Sequence, residues 1–312
     1  MSPRQVVMIT TGGTAASRTT EDGAVPVLTA RELIPETVSQ VQVRPVDLMN
    51  VDSSAMTVHQ QFEVVRAIAE ALSDPAVDGV VVVHGTDTLE ETSYLADCFA
   101  DDPRPVVFTG AQYPADHRLS DGPANIAAAI DLAAGPDSRG RGVLIALGGR
   151  VLGARGSFKA STTEVTGFDT VHPDLPRPLV AAEVPGALPA RVDLLALYPG
   201  VSPGTIAAAV AQRAAGIVLS ATGSGNTHPD ITAEVTLAVR RDVPVVVSTR
   251  VPYGEVEPTY GGAGGGVALF RAGAIFSHWL RAPQARMALI ALLTAGASRS
   301  QIADFFAASE PS

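Results

Sequence analysis

A chain of 312 residues with 46% apolar side chains can bury a large core, and that length points to two domains. A charged fraction of 17%, with 22 basic residues against 32 acidic ones and a net charge of −10, excludes nucleic-acid binding unless a basic stripe exists, and Arg240-Arg241 is the only adjacent basic pair. The single cysteine, Cys98, cannot form an internal disulfide, and six histidines without paired cysteines or an HExxH pattern argue against a zinc site, so no metal or other cofactor is expected.

In chain order, short apolar runs alternate with helix-length amphipathic segments, the pattern of a mostly parallel sheet covered on both faces. Met1-Ser2-Pro3-Arg4-Gln5 leads at once into a strand over 6–10 and leaves no room for a signal peptide. Residues 17–24 (Ser-Arg-Thr-Thr-Glu-Asp-Gly-Ala) read as a short polar loop. Further strands are expected over 41–46, 80–83, 106–109 and 143–147. A helix over 58–72 carries Phe62, Val65, Ile68, Ala69 and Leu72 on one face. Leu89-Glu90-Glu91 looks like a helix start, and Cys98 falls in the apolar pattern of Tyr94, Leu95 and Phe99, where it packs. Gly122-Pro123 opens the next helix, over 124–134, with proline in the first turn where its missing N–H costs least, and Gly135-Pro136 closes it.

A strand over 191–198 precedes Pro199-Gly200-Val201-Ser202-Pro203-Gly204, the densest breaker cluster in the chain. The domain boundary is placed there: an N-terminal domain over 1–198, a linker over 199–204 and a smaller C-terminal domain over 205–312. The remainder alternates again, with strands over 216–220 and 243–248, a helix over 231–240, and two helices near 283–294 and 298–308. Between the strand over 243–248 and these two helices, the glycine-rich run from Tyr260 to Gly266 has little intrinsic order. No segment reaches the roughly 18 apolar residues of a membrane helix. A soluble, reduced, cytoplasmic α/β protein without membrane or nucleic-acid partners is expected.

Polar clusters stand where buried strands end, which is where open α/β sheets bind ligands. After the first strand comes Thr10-Thr11-Gly12-Gly13-Thr14, and Thr14 follows two glycines that let the backbone turn sharply and approach a ligand. The other reading of Thr14 is a helix N-cap. After the second strand comes Asp52-Ser53-Ser54, and after the third His84-Gly85-Thr86-Asp87-Thr88, where Asp87 is either a cap or a functional carboxylate. Lys159, in Gly156-Ser157-Phe158-Lys159-Ala160-Ser161-Thr162-Thr163, reads alone as a solvated surface residue. A threonine hydroxyl is a poor nucleophile that needs an adjacent base or cation, and Asp87 and Lys159 are the groups that could supply both.

Taken together, Thr11–Thr14, Asp52–Ser54, His84–Thr92 and Lys159–Thr163 resemble the bacterial-type L-asparaginases, the threonine amidohydrolase family. Thr109-Gly110-Ala111-Gln112, Ser120–Asn125, Ser248–Pro252 and Pro283–Arg286 extend the likeness from the first strand to the last helix pair, and Ser53-Ser54 is similar to the cytoplasmic type. The resemblance implies a flavodoxin-like N-terminal domain with a smaller α/β C-terminal domain, and hydrolysis of L-asparagine to L-aspartate and ammonia with minor glutaminase activity. It implies that Thr14 attacks the amide carbon, that Thr86 with Asp87 and Lys159 forms a second essential hydroxyl group, and that Ser53 and Asp87 hold the substrate's α-carboxylate and α-amino group. A homotetramer, a dimer of dimers, is implied too.

The chain departs from the family in having no tyrosine before Tyr94, where related enzymes carry one after the nucleophile; Gly23 aligns near it. Glu257 or Tyr260 is a candidate to reach a neighbouring subunit's site, against the reading of a surface loop, and Ser224-Gly225-Asn226 matches a partner-supplied segment. Ser54 replaces a glutamine of the periplasmic type, which gives up a substrate contact and predicts a weak Michaelis constant. Two other functions compete with this one. A phosphate or dinucleotide site fails because Thr11–Thr14 has neither a P-loop lysine nor GxGxxG spacing. An amino-acid sensor needs only Ser53 and Asp87, and leaves two threonines and a lysine without a role. A related tRNA-dependent amidotransferase subunit carries an added N-terminal domain, so a standalone hydrolase is expected.

Overall fold

The computed structural model describes residues 3–21 and 23–307. Met1, Ser2, Asp22 and Ala308, which figure in the sequence reading, lie outside the described residues. The chain divides into two compact units, one running to Thr170 and including Ala182–Val184, the other made of Val171–Ala181 and the chain from Pro185 onward.

In the first unit the elements are β1 (Arg4–Thr10), β2 (Ser17–Thr20), β3 (Gly23–Pro26), α1 (Ala30–Leu33), β4 (Val41–Asp47), α2 (Val58–Leu72), β5 (Gly79–Val83), α3 (Leu89–Asp97), β6 (Val106–Thr109), α4 (Gly122–Ala134), β7 (Val143–Leu147), β8 (Arg150–Gly153), β9 (Ser157–Lys159) and β10 (Phe168–Thr170). The main sheet has the order β4-β1-β5-β6-β7-β8, parallel except for the antiparallel edge strand β8. Its five parallel strands, counted in sequence, lie in the order 2-1-3-4-5 of flavodoxin-like folds, with a topological switch between β1 and β5.

Both faces of this sheet are covered, so its strands read as unbroken apolar runs: β5 is buried from Gly79 to Val83. On one face Val6, Met8, Val81, Val83, Val107 and Leu144 pack with Ile126, Ala129, Ile130 and Ala133 of α4. Helix α2 buries Phe62, Val64, Val65, Ile68 and Ala71, and each such side chain larger than alanine contributes about 1.5–3 kcal/mol relative to exposure. Its start is fixed by a capping box in which Thr57 Oγ1 accepts from the Gln60 amide and Gln60 Oε1 accepts from the Thr57 amide. In α4 Pro123 sits in the first turn, as expected.

The second unit holds a four-stranded parallel sheet, β11 (Val192–Ala196), β12 (Gly216–Ala221), β13 (Val245–Thr249) and β14 (Ile275–Phe276), in that order. Helices α5 (Thr205–Ala211), α6 (Pro229–Val239), α7 (Gly266–Arg271), α8 (Ala282–Thr294) and α9 (Arg299–Ala307) accompany it. Two expectations are corrected here. The breaker cluster at 199–204 is the connection from β11 to α5 inside this unit, and β11, read as N-terminal, pairs with β12. The chain instead crosses between units over 171–185, where Pro173, Pro176, Pro178 and Pro185 deny regular hydrogen bonding. The glycine-rich run at 260–266 is tied down, because Gly264 O accepts from Thr227 N (2.8 Å), Gly266 N donates to Asn226 Oδ1 (3.1 Å), and α7 begins there.

Candidate active site

The loops leaving β1, β4 and β5 meet at the sheet's C-terminal edge, beside the switch point. Thr11 donates both its amide (3.1 Å) and its hydroxyl (3.2 Å) to Val83 O, which binds the first loop to the end of β5. Val51 N donates to Thr11 O (2.9 Å), which brings in the loop after β4. The approach is closest at two glycines. A Cβ on Gly13, which has φ +79°, would lie 2.5 Å from Gly85 Cα, and a Cβ on Gly85 would lie 2.6 Å from Ser53 Oγ. Only glycine permits this contact, and it gathers the hydroxyl residues Thr14, Ser53 and Thr86 from three loops.

Thr14 opens a single 3-10 turn whose cap position is Gly13, so it is not a cap. It is half-buried, and its side chain makes no hydrogen bond among the described residues. Thr86 and Ser53 are buried, while Ser54 is exposed. Helix α3 is capped by Thr88, not Asp87, and Thr88 Oγ1 donates to Ser53 O (2.9 Å), which clamps the two loops again.

Lys159 is not a surface residue. Its ammonium donates to Thr86 Oγ1 (2.8 Å) and to Asp87 Oδ1 (2.7 Å), and its side chain is only 18% exposed against 63% for Asp87. The lysine therefore sits inside the hydroxyl loop while its carboxylate partner faces solvent. Because Asp87 remains hydrated, the pair contributes geometry more than stability. Lys159 lies on β9, which among the described strands pairs with β10 in a two-stranded sheet outside the main one.

Several supporting residues were not singled out in the sequence. The Glu90 carboxylate accepts the Lys159 backbone N–H, and burial pushes its carboxyl up to about 7. His84 is wholly buried, with Nδ1 2.8 Å from Gly85 O, and burial pulls it down to about 4, so the ring is neutral at pH 7. Asp121 accepts from the amides of Gln112 (3.0 Å) and Tyr113 (3.0 Å) and from Asn125 Nδ2 (3.0 Å), while Gln112 Nε2 donates to Thr162 O near Lys159. The signal for these was the company they keep: Glu90 stands three residues after Asp87, and Asp121 stands at a helix cap.

The loop after Thr14, read as irregular, is the β2–β3 hairpin. It is fastened to the loop after β6 by Thr19, whose amide (2.9 Å) and hydroxyl (3.1 Å) donate to the Asp116 carboxylate, and by Ala115 N donating to Ser17 O (2.9 Å). Gly23, at φ +107°, faces open space. The described residues contain no group of three or more His, Cys, Asp or Glu arranged to hold a metal, and none of their helices is long and apolar enough to cross a membrane.

Ser224, Asn226, Glu257 and Tyr260 belong to the second unit. Asn226 closes a turn with Thr222 through Thr222 N to Asn226 O (3.1 Å) and Asn226 N to Thr222 O (2.9 Å). Ser224 Oγ is buried and has no hydrogen-bond partner among the described residues. Glu257 and Tyr260 are exposed.

Comparison with known proteins identifies the family. Residues 5–179 match the family model "Asparaginase, N-terminal", and residues 191–306 match "Glutaminase/Asparaginase C-terminal domain". The chain is 35% identical to a probable L-asparaginase of Deinococcus radiodurans, with 97% of each chain covered. It is 34% identical to an L-asparaginase of Bacillus licheniformis, with 93% of this chain and 95% of the relative covered. A crystal structure of a probable cytoplasmic L-asparaginase from Campylobacter jejuni superposes with a TM-score of 0.83 at 26% identity, covering 97% of this chain and 99% of that one. With one family model matched over more than half its length and relatives at a third identity spanning nearly all of it, the chain belongs to the asparaginase family.

Proposed function

We propose that this protein hydrolyses the side-chain amide of L-asparagine to L-aspartate and ammonia, with Thr14 as nucleophile and Thr86, Lys159 and Asp87 as the second hydroxyl group. The observation that carries the reading is the junction at Lys159, one ammonium within 2.8 Å of Thr86 Oγ1 and 2.7 Å of Asp87 Oδ1. A cation beside a threonine hydroxyl lowers the cost of negative charge on its oxygen. Thr14 Oγ1 bonds to the amide carbon, the hydroxyl proton is relayed to the amide nitrogen, the C–N bond breaks, and the nitrogen departs as ammonia. Water then cleaves the acyl ester, releasing aspartate and restoring the hydroxyl.

Asp87 uses Oδ1 for Lys159, so Oδ2 is available to a substrate ammonium, while Ser53 and the backbone N–H groups around it suit the α-carboxylate. Glutamine is a minor substrate in this reading, since one methylene in a pocket is worth about 1–3 kcal/mol of discrimination. The assembly is a homotetramer, a dimer of dimers, in which Ser224, Asn226, Glu257 and Tyr260 reach a partner's site. The exposure of Glu257 and Tyr260 supports that part. A cytoplasmic location is supported by the Asp52-Ser53-Ser54 pattern and by the Campylobacter neighbour's description.

The test is ammonia release from asparagine and glutamine by the wild type and by Lys159→Met. Turnover of asparagine that falls at least about a hundredfold in the variant supports the reading. Saturable binding of asparagine without ammonia release by the wild type would refute it. Wild-type turnover in both Glu257→Gln and Tyr260→Phe would remove those residues from the site, and a monomer by light scattering would remove the assembly.

A further inference from the structure

The lysine at the centre of the site ends a short strand. β9 has three residues, follows Gly156 at φ +81°, and among the described strands pairs with β10, with Lys159 opposite Phe168. Downstream, the amides of Ala160 (2.7 Å) and Ser161 (3.1 Å) donate to Gly167 O, and upstream Ser157 Oγ donates to Gly153 O (2.6 Å). The Lys159 amide itself is directed away from this hairpin and donates to Glu90 Oε2.

Glu90 is the second residue of α3, the helix that leaves the Thr86-Asp87 loop. A ring therefore closes: two residues, Thr88 and Leu89, connect Asp87 to Glu90, the Glu90 side chain holds the Lys159 backbone, and the Lys159 side chain returns to Thr86 and Asp87. We infer that Glu90 is a positioning residue for Lys159, fixing the backbone of β9 at the distance from α3 that lets one ammonium reach both Thr86 Oγ1 and Asp87 Oδ1. The inference rests on the reading that Lys159 serves the reaction.

The surroundings make the tether sensitive to pH. Burial raises the Glu90 carboxyl to about 7, the Lys159 amide and the Lys159 charge pull it down, and Glu91 on the same helix pushes it up. The charges that act on Glu90 are thus Lys159 and Glu91, and one turn along the helix Tyr94 accepts a hydrogen bond from Arg155 Nη1 (2.9 Å). Above pH 7 the acceptor is a carboxylate, whose bond to an N–H is shorter and stronger than that of a neutral carboxyl.

The experiment compares steady-state asparagine hydrolysis from pH 5.5 to 9 for the wild type, Glu90→Gln, Glu90→Ala and Lys159→Met, each checked for folding by circular dichroism. Glu90→Ala is expected to lose kcat by about tenfold with KM changed less than about threefold, because the tether acts on the lysine and not on substrate binding. Glu90→Gln, whose amide oxygen can still accept the Lys159 N–H, is expected to recover most of that loss and to flatten the rise in kcat through pH 7. A folded Glu90→Ala with wild-type kcat and an unchanged pH profile overturns the inference, and so does a Glu90→Gln as impaired as Glu90→Ala. Lys159→Met separates the two levels: if it retains turnover, the catalytic reading of Lys159 fails, whereas an inactive Lys159→Met beside unaffected Glu90 variants refutes the positioning role alone.

Discussion

Replacing Gly13 with alanine tests whether the backbone contact between the first and third loops builds the site. The added Cβ would stand 2.5 Å from Gly85 Cα and 2.6 Å from Gly85 N, both backbone atoms that cannot rotate away. Restoring an ordinary carbon contact of about 3.5 Å requires the Thr14 loop to retreat by about 1 Å. The position also has φ +79° and ψ −176°, a region essentially reserved for glycine that costs an L-residue about 1–3 kcal/mol, and overpacking adds about 1–3 kcal/mol. The sum, about 2–6 kcal/mol, is a large share of the 5–15 kcal/mol typical of a folded protein. Misplacement by about 1 Å is enough to cost about a hundredfold in rate. Urea unfolding and kcat/KM for asparagine measure the two effects separately. A Gly13→Ala protein with wild-type stability and wild-type kcat/KM would refute the claim that this contact sets the position of Thr14.

Asp121→Ala removes the acceptor shared by Gln112 N, Tyr113 N and Asn125 Nδ2, and is expected to cost about 2–4 kcal/mol in urea unfolding; a loss under about 0.5 kcal/mol would contradict the assignment. Asp116 fastens the β2–β3 hairpin, and the Thr19 backbone N–H holds its carboxyl below the usual 3.8. The latch is therefore present above pH 3.8 and lost as pH falls below it. Asp116→Ala should speed amide hydrogen exchange at 17–20 at pH 7 while leaving the exchange of β5 unchanged, and equal exchange in both proteins would argue against a latch. Glu90 has the opposite sign. Its folded carboxyl stands at about 7 against an ordinary 4.5, so its contribution to stability is full below pH 4.5 and is lost as pH rises through 7. Ionisation then costs up to roughly 3 kcal/mol at 1.36 kcal/mol per unit, and Glu90→Gln should be more stable than wild type at pH 8.5 but not at pH 4.5. A stability difference that does not change with pH would count against this.

Much of the first unit is legible because its strands are buried on both faces. Val80–Val83 and Val143–Leu147 are apolar throughout, and such runs between helix-period segments leave few alternatives to a parallel sheet. The strand-end position of Thr14 and Thr86 follows from that alone. The short strands β2, β3, β8, β9 and β10 were invisible for the converse reason: Ser17–Thr20 and Ser157–Lys159 have no apolar alternation, and their pairing is imposed by tertiary contacts such as Thr19 with Asp116. The boundary was misplaced because Pro199–Gly204 is dense in turn formers but only joins a strand to a helix. Pro173, Pro176, Pro178, Pro185 and Pro189, spread over a longer stretch without strand or helix, held the better signal. Lys159 looked like a surface lysine because nothing local predicts that β9 folds back onto the Thr86 loop. In the sequence Glu90 reads only as a helix-start acid, favourable near a positive helix end, and its link to Lys159 spans 69 residues.

The central claim is that Thr14 and Thr86, brought to one edge by the Gly13–Gly85 contact, are both required for amide hydrolysis. The most direct measurement is ammonia release from L-asparagine by Thr14→Ala and Thr86→Ala beside the wild type, with each variant's fold verified by circular dichroism. Each variant is expected to lose turnover by roughly a thousandfold or more, as removal of a nucleophile or of a group acting with it does. Turnover within about tenfold of wild type in either variant would contradict it.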